Sequence, residues 1–120
     1  MRVTLTHDFE LESAHHLPNA PEDHKCRRVH GHNFVIEVHI TGEVDPEKGW
    51  VVDYADLKEA FDLVHLQLDH RLLNDIEGLE NPTSENLARW IWVRLAPKLP
   101  GLSEIVVRES RVARCSYRGD

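Results

Sequence analysis

The stretch KCRRVHGHNF, residues 25–34, brings a thiol and two imidazoles close together in the chain. Cys26 stands four positions before His30, and His32 follows after a single glycine. Side chains two positions apart on a β-strand point to the same face, so a strand here would present both imidazoles on one side. Imidazole nitrogen and thiolate sulfur are the ligands that zinc prefers. The spacing therefore predicts a metal site, a reactive thiol beside one, or both.

A third ligand is needed, and two adjacent histidines compete for that role. Residues 2–16 alternate between polar and apolar side chains, as a half-buried strand does. His15 continues the strand face that holds Phe9 and Leu11, whereas His16 continues the charged face. A metal-binding imidazole belongs on the packed side, where a shaped cavity can form. We therefore expect His15 to join the two histidines of the motif in a three-histidine zinc site.

The sequence leaves the role of Cys26 open between two arrangements. The thiolate could be the fourth ligand of a closed structural site, or the fourth position could stay open while Cys26 works beside it. Lys25, Arg27 and Arg28 surround the thiol, and positive charge favours the thiolate form that acts as base or nucleophile. The same three cations could also meet a small anion. Spacing alone does not decide between these arrangements.

Two further places in the chain have residue types suited to proton transfer and ligand binding. Asp69 and His70 stand at the expected end of a helix, and a carboxylate beside an imidazole can orient it for proton transfer. Capping of the helix end explains the same pair. Glu109 follows Ile105 and Val107 on one strand face, so a carboxylate ends an apolar stripe. Such a group needs a partner, either a neighbouring arginine or a flat ligand edge that donates two parallel hydrogen bonds.

These side chains must be positioned by strands and helices, and the sequence pattern predicts an order for them. Alternating patterns give strands over 2–16 and 30–42, and two short strands close the chain after Pro100. Between them, Asp53 caps one helix, and Thr83 or Ser84 caps a second. The order strand, strand, helix, helix, strand, strand predicts one α+β domain over residues 1–120. We expect a four-stranded antiparallel sheet with both helices on one face, and its two free edges favour oligomerisation.

Composition excludes several classes of partner. The chain has 120 residues, 41% of them apolar, and a formal net charge of −7. This balance argues against a nucleic-acid or anionic-membrane partner, because both bind broad basic surfaces. No apolar run is long enough to span a membrane, and the N-terminus lacks the apolar core of a signal peptide. Two cysteines are too few for a disulfide framework. We therefore expect a cytoplasmic protein with free thiols.

The segments ESAHHLP, CRRVHGH, LDH, NPTSEN and VRES occur in this order along nearly the whole chain. Together they resemble the 6-pyruvoyltetrahydropterin synthase family, and most of all its bacterial 6-carboxytetrahydropterin synthase branch. The resemblance implies Zn²⁺ held by three histidines, a cysteine as proton acceptor, an Asp–His proton relay and a carboxylate that anchors the pterin ring. In this chain the matching residues are His15, His30 and His32 for the metal, Cys26, Asp69 and His70 for catalysis, Glu109 for catalysis and the ring, and Thr83, Ser84 and Glu85 beside the pterin.

The resemblance also implies a fold, an assembly and a reaction. The family has the tunnelling fold (T-fold), in which sheets from several subunits close into a barrel, usually a homohexamer built as a dimer of trimers with active sites at subunit interfaces. The implied reaction converts 7,8-dihydroneopterin triphosphate into 6-carboxy-5,6,7,8-tetrahydropterin, acetaldehyde and triphosphate, in queuosine (7-deazaguanine) biosynthesis. Two alternatives remain: a synthase that makes 6-pyruvoyltetrahydropterin, and a zinc-stabilised binding module without catalysis.

Overall fold

The computed structural model describes all 120 residues and contains four strands and two α-helices in the expected order. Two 3₁₀ turns precede β2 and follow α1. The elements are β1 (Arg2–His15), β2 (His30–Glu43), α1 (Tyr54–Leu68), α2 (Ser84–Leu95), β3 (Leu102–Arg108) and β4 (Arg114–Tyr117).

The four strands form one antiparallel sheet, as the sequence predicts, and their order in the sheet is β1-β2-β3-β4. The hairpin of β1 and β2 pairs along its full length, from Arg2 opposite Glu43 to His15 opposite His30. Each strand therefore pairs with the next strand along the chain. The predicted α+β class and the antiparallel sheet are confirmed, and the register brings two of the candidate ligands face to face.

The hydrophobic core lies between one face of the sheet and the two helices. Alternate residues of β2 and β3 are fully buried, and each helix adds one apolar stripe at helical spacing. Burial of each large apolar side chain contributes about 1.5–3 kcal/mol. The central residues of this core are Phe34, Ile36, Val38 and Ile40 of β2, Ile105 and Val107 of β3, Leu57, Phe61 and Leu68 of α1, and Leu87, Ile91 and Leu95 of α2.

Side-chain caps set the helix starts where the sequence predicts them. Asp53 accepts a hydrogen bond from the N–H of Ala55 at 2.9 Å, and Thr83 accepts one from the N–H of Asn86 at 3.2 Å. The end of α1 differs from the expectation, which had Asp69 and His70 finishing the helix. The helix instead ends at Leu68, because Asp69 leaves the helical conformation and His70 takes a left-handed backbone with φ 56°.

The opposite face of the sheet is polar and half-buried. Arg108 donates to Asp8 at 2.7 Å and lies 3.1 Å from the carboxylate of Glu37. His39 contacts the other oxygen of Glu37 at 2.8 Å. These contacts tie β1, β2 and β3 together across the face that the helices leave uncovered.

The molecule is elongated for its size. Its extents are 57 × 24 × 23 Å and its radius of gyration is 15.5 Å, against about 13.6 Å for a compact domain of this length. The long β1–β2 hairpin accounts for this shape, and β1 and β4 each leave one edge of the sheet unpaired. Neither helix has the length and apolar character needed to cross a membrane.

Candidate metal centre and active site

Three histidines meet at one end of the β1–β2 hairpin. His15 lies directly opposite His30, and His32 is two residues further along β2 on the same face. The ring centroids are 4.6 Å apart for His15 and His30, 5.1 Å for His15 and His32, and 5.0 Å for His30 and His32. His15 is almost completely buried, which places it on the packed face as its parity predicts. The sheet register therefore gathers the three expected metal ligands.

Glu109 joins this group from the end of β3. Continuing the register of β2 and β3, in which Val35 faces Arg108, puts Glu109 opposite Phe34 on the core face. Its Oε1 lies 3.0 Å from Nε2 of His32 and 3.3 Å from Nε2 of His15. One ligand atom from each of the three histidines and Glu109 lies within 4.8 Å of the others. The four residues, named here the His₃Glu cluster, could hold a metal ion.

Backbone carbonyls fix the orientation of two of these imidazoles. Nδ1 of His15 lies 2.8 Å from the carbonyl oxygen of Pro82, and Nδ1 of His30 lies 2.8 Å from that of Arg28. A carbonyl oxygen only accepts hydrogen bonds, so both Nδ1 atoms donate and carry the proton of the neutral ring. The lone pair is then on Nε2. This outer partner is the arrangement typical of metal-bound histidine.

The electrostatics of the cluster suit a cation. Burial lowers the pKa of His15 and of His32 below the ordinary value of 6.5, and in both cases it outweighs the opposing effect of the Glu109 carboxylate. Nε2 of each ring is buried and makes no hydrogen bond, although a carboxylate oxygen is 3.0–3.3 Å away. Lone pairs on nitrogen and oxygen that face each other repel unless a positive charge lies between them. Three imidazole nitrogens and one carboxylate oxygen fit Zn²⁺.

Cys26 lies beside the His₃Glu cluster and is not part of it. The thiol is on a short 3₁₀ turn, Lys25–Arg27, whose carbonyl at Cys26 accepts the N–H of Leu17 at 2.7 Å. Cys26 is partly exposed and is not in a disulfide. It lines a cavity of about 530 Å³ together with Lys25, Arg28, Val29, His30, His32, Glu109 and Ser110. Thiol, imidazoles and carboxylate therefore face one shared space.

Asp69 and His70 form a hydrogen-bonded pair just beyond α1. Asp69 Oδ2 lies 2.8 Å from Nδ1 of His70, and Asp69 Oδ1 accepts the N–H of Glu12 at 2.9 Å. The N–H of His70 donates to the Glu12 carbonyl at 2.6 Å. The hydrogen bond that Nδ1 of His70 donates to Asp69 raises the pKa of His70. Partial burial opposes ionisation of Asp69, yet the Glu12 N–H and His70 hold its pKa below the ordinary value.

His70 and His32 border a second opening. This groove of about 460 Å³ is also lined by Gly31 and Arg71. Gly31 has extended backbone, and a methyl group added there would meet only the carbonyl oxygen of Ser13 at 3.6 Å, an ordinary van der Waals contact. His32 is therefore the one residue of the cluster that borders the same groove as His70.

Thr83, Ser84 and Glu85 lie next to the cluster without lining either opening within one chain. Thr83 caps α2, Ser84 begins it and Glu85 lies in its first turn. Pro82 directly precedes them, and its carbonyl orients His15. The segment is thus linked to the metal centre through the backbone. Glu85 also raises the pKa of Cys115 on β4, after the larger effect of burial.

Sequence reasoning missed three features of this site. The partner of Glu109 is not the neighbouring Arg108, because that guanidinium contacts Asp8 and Glu37 on the opposite face. The backbone carbonyls that orient two of the histidines could not be predicted, because every residue has a carbonyl. The backbone of Glu12, which holds both Asp69 and His70, likewise gives no sequence signal. Only the strand register could have indicated the place of Glu109.

Comparison with known proteins gives consistent matches over most of the chain. Residues 4–120 match the family model described as 6-pyruvoyl tetrahydropterin synthase. The 6-carboxy-5,6,7,8-tetrahydropterin synthase of Synechocystis sp. is 40% identical and covers 92% of this chain and 88% of its own. The dihydroneopterin monophosphate aldolase of Pyrococcus furiosus is 39% identical over 84% of this chain and 82% of its own.

A solved structure extends the likeness to the fold. The 6-pyruvoyl tetrahydropterin synthase of Caenorhabditis elegans superposes with a TM-score of 0.92 at 32% identity and covers 100% of this chain and 97% of its own. The sheet and helices described above are therefore those of the tunnelling fold. The matching model and the identity of these relatives lead to one conclusion: this chain belongs to the 6-pyruvoyl tetrahydropterin synthase family.

Proposed function

We propose that the protein is a zinc-dependent lyase. It converts 7,8-dihydroneopterin triphosphate and water into 6-carboxy-5,6,7,8-tetrahydropterin, acetaldehyde and triphosphate, and it serves queuosine biosynthesis. The main support is the cavity in which an unpaired cysteine, Cys26, faces two histidines and a carboxylate of the His₃Glu cluster. The 40% identity to a relative named as this synthase supports the same reaction.

His15, His30 and His32 would hold the ion, since their Nε2 atoms converge and two of the rings are oriented from behind by carbonyls. Bound zinc supplies Lewis acidity, which makes nearby hydroxyl protons of the substrate more acidic. The low pKa of His15 and His32 keeps both rings neutral near pH 7, the form that binds metal.

Two groups in two different openings would manage protons. Cys26 as thiolate would take a proton in the larger cavity, and His70 would transfer one in the groove. Asp69 would hold the His70 ring by its Nδ1, which leaves Nε2 for the exchange, 3.5 Å from the exposed Glu12 carboxylate. Proton carriers in two separate openings suit a reaction that removes a proton from one carbon of the substrate and returns a proton to another carbon.

Glu109 would anchor the pterin ring. The ring presents two parallel N–H donors, which a carboxylate accepts in a bidentate arrangement. Thr83, Ser84 and Glu85 would complete the ring site at a subunit interface, which explains why they do not line the cavities of a single chain. We further propose a single domain over residues 1–120, a cytoplasmic location and a hexamer built as a dimer of trimers.

The phosphate chain of the substrate would meet Lys25 and Arg28. Both line the cavity of Cys26, and neither forms an ion pair within the chain. Arg27 carries the same charge but turns away and donates to the carbonyl of Ala20 at 3.1 Å. Guanidinium and ammonium groups bind phosphate through charge-assisted hydrogen bonds. Arg27 therefore provides a charge-matched control.

The phosphate assignment is tested by calorimetry with inorganic triphosphate. K25A and R28A should each weaken its binding by roughly 10- to 150-fold, the effect of losing one charge-assisted contact of roughly 1.5–3 kcal/mol. R27A should bind it nearly as the wild type does. Equal losses in all three variants would indicate a general effect of net charge and would contradict the assignment.

Product analysis tests the reaction itself. The zinc-loaded protein is mixed with 7,8-dihydroneopterin triphosphate, and released acetaldehyde is measured by coupled oxidation of NADH. We expect one acetaldehyde and one triphosphate for each 6-carboxytetrahydropterin. Triphosphate release with a retained three-carbon side chain would instead establish a 6-pyruvoyltetrahydropterin synthase.

A second candidate follows from the relative named as a dihydroneopterin monophosphate aldolase, at 39% identity. Such an activity would cleave the side chain of the monophosphate and would release no acetaldehyde. Dihydroneopterin monophosphate is therefore tested in parallel with the triphosphate. Turnover of the monophosphate alone would replace the proposed function by this one.

The C26A variant separates an enzyme from a zinc-stabilised binding module. If Cys26 works as a base, C26A keeps its zinc and loses turnover. If the thiol closes a structural site, C26A loses zinc and stability together, because metal binding is coupled to folding. Metal analysis and thermal unfolding of the same preparation distinguish the two results.

A further inference from the structure

The sequence left two arrangements for the fourth position of the metal, a bond to Cys26 or an open position, and the geometry supports neither in the free protein. Cys26 lies outside the His₃Glu cluster. Oε1 of Glu109 is instead within 3.0 Å of His32 Nε2 and 3.3 Å of His15 Nε2. A carboxylate oxygen thus stands where a fourth ligand would be.

Glu109 has no competing partner within the chain. Its contacts to cationic or imidazole groups are those to His15 and His32, while neighbouring Arg108 is held by Asp8 and Glu37 on the other face of the sheet. The side chain is 31% exposed, so one oxygen faces the cluster while the group still borders the cavity. A molecule in that cavity can therefore reach the same carboxylate that faces the cluster.

We propose that Glu109 is the fourth metal ligand of the free protein, and that the pterin ring withdraws it. Asp and Glu oxygens are established partners of imidazole at zinc, and two histidine nitrogens that otherwise lack hydrogen bonds gain a cation between themselves and Glu109. The second half rests on the proposed function, because it needs a ligand whose N–H donors engage the same carboxylate. One carboxylate then holds the metal position closed until substrate arrives.

This exchange predicts a coupling between two ligands that never touch each other. A ring that draws Glu109 from the metal must weaken zinc binding, and zinc must weaken ring binding by the same factor. The suitable probe is 6-methylpterin, which has the ring donors but no side-chain oxygen that could replace the lost ligand. The coupling is then a property of Glu109 alone.

The first experiment measures zinc affinity by competition with a chromophoric chelator, without any substrate. E109Q should bind zinc at least about tenfold more weakly than the wild type, in line with the effect of altered metal-site partners. E12Q removes a carboxylate from the neighbouring groove and should leave zinc affinity unchanged. Circular dichroism and thermal unfolding of the metal-free variants check that each one folds. Wild-type zinc affinity in folded E109Q would overturn the proposal.

The second experiment measures the affinity for 6-methylpterin with and without zinc. We expect the wild type to bind the probe more tightly when metal-free, by the factor that separates wild type from E109Q in zinc affinity. In E109Q the zinc dependence should vanish. Equal binding by zinc-loaded and metal-free wild type would overturn the exchange. Failure of 6-methylpterin to bind at all would refute both the exchange and the proposed ring site, whereas the zinc result for E109Q would still decide the ligand assignment.

Discussion

At the scale of single residues, the metal centre depends on groups that hold the histidines from behind. The carbonyls of Pro82 and Arg28 fix the protons of His15 and His30 on Nδ1, so the opposite nitrogens are available without any rearrangement. Such outer partners orient a ligand and raise its basicity. Preorganisation by the backbone also means that the orientation does not depend on side chains that could be substituted.

The Asp69–His70 pair gives a pH-dependent prediction. Asp69 raises the pKa of His70, so D69N should lower that pKa toward 6.5, as followed by NMR titration of the imidazole. The raised pKa of His70 contributes stability that is lost as pH rises through it, and the lowered pKa of Asp69 contributes stability that is lost as pH falls below 3.8. The pair therefore stabilises the fold most in mildly acidic solution.

A matched variant isolates this interaction. Asp56 lies in the first turn of α1, at the far end of the helix from His70. D56N removes the same charge from the opposite end of α1 and should leave the pKa of His70 unchanged. Equal shifts in D69N and D56N would show that net charge, rather than the 2.8 Å contact, sets the titration.

The alternation of side chains along the strands predicted which face His15 occupies, but it did not predict which groups contact the histidines. Period-2 alternation placed His15 on the packed face, and the structure has it almost fully buried there. The same reasoning put Glu109 at the end of an apolar stripe. It could not supply the distance to His32, because that contact depends on how β2 and β3 align, and alternation repeats every two residues without fixing the alignment.

At the scale of elements, the start of α2 combines a structural and a proposed binding role. Thr83 is the cap of the helix, and the preceding carbonyl of Pro82 contacts His15. Fraying of this helix start would loosen the hydrogen bond that orients the buried histidine. The Thr83 cap thus supports the candidate metal centre indirectly, through the carbonyl of Pro82.

Substitution of Thr83 separates these roles. T83A removes the cap and should lower the free energy of unfolding by about 1 kcal/mol. T83S keeps the hydroxyl and should stay within a few tenths of a kcal/mol of the wild type. Urea denaturation of the metal-free protein measures both values. A loss of substrate affinity in T83A without a loss of stability would show that the hydroxyl serves the ligand and not the helix.

Elements were easier to predict than their ends. Asp53 and Thr83 identified both helix starts, because side-chain caps are encoded by single residues. The sequence placed the end of α1 two residues too late, at His70 instead of Leu68. No glycine or proline follows Leu68 directly to signal the end of the helix. Asp69 accepts a hydrogen bond from the N–H of Glu12 on β1, and the N–H of His70 donates to the Glu12 carbonyl. These tertiary contacts end the helix there, and a local sequence pattern does not encode them.

At the scale of the molecule, the candidate metal centre joins three strands. The four residues that could bind the ion come from the end of β1, the start of β2 and the position after β3. Zinc binding should therefore stabilise the whole domain. At a free concentration about 1,000 times the Kd, the free energy of unfolding should rise by about 4 kcal/mol.

Thermal unfolding with and without added zinc measures this effect. The melting temperature should rise with zinc in the wild type and should not respond in H30A, which lacks a central ligand. Unchanged melting of the wild type on removal of the metal by a chelator would contradict the expectation. The elongated shape and the free edges of β1 and β4 make assembly a second source of stability, so protein concentration is held constant in the comparison.

Gly31, between the two histidines of β2, has a consequence for substrate access that is separate from metal binding. An added methyl at Gly31 would find only ordinary contact with Ser13, so the fold itself has room for alanine there. G31A should fold and retain its ion, yet raise KM, because the methyl would take space only from a molecule entering the groove. The two histidines would then bind the ion, and the lack of a side chain at Gly31 would leave room for the substrate.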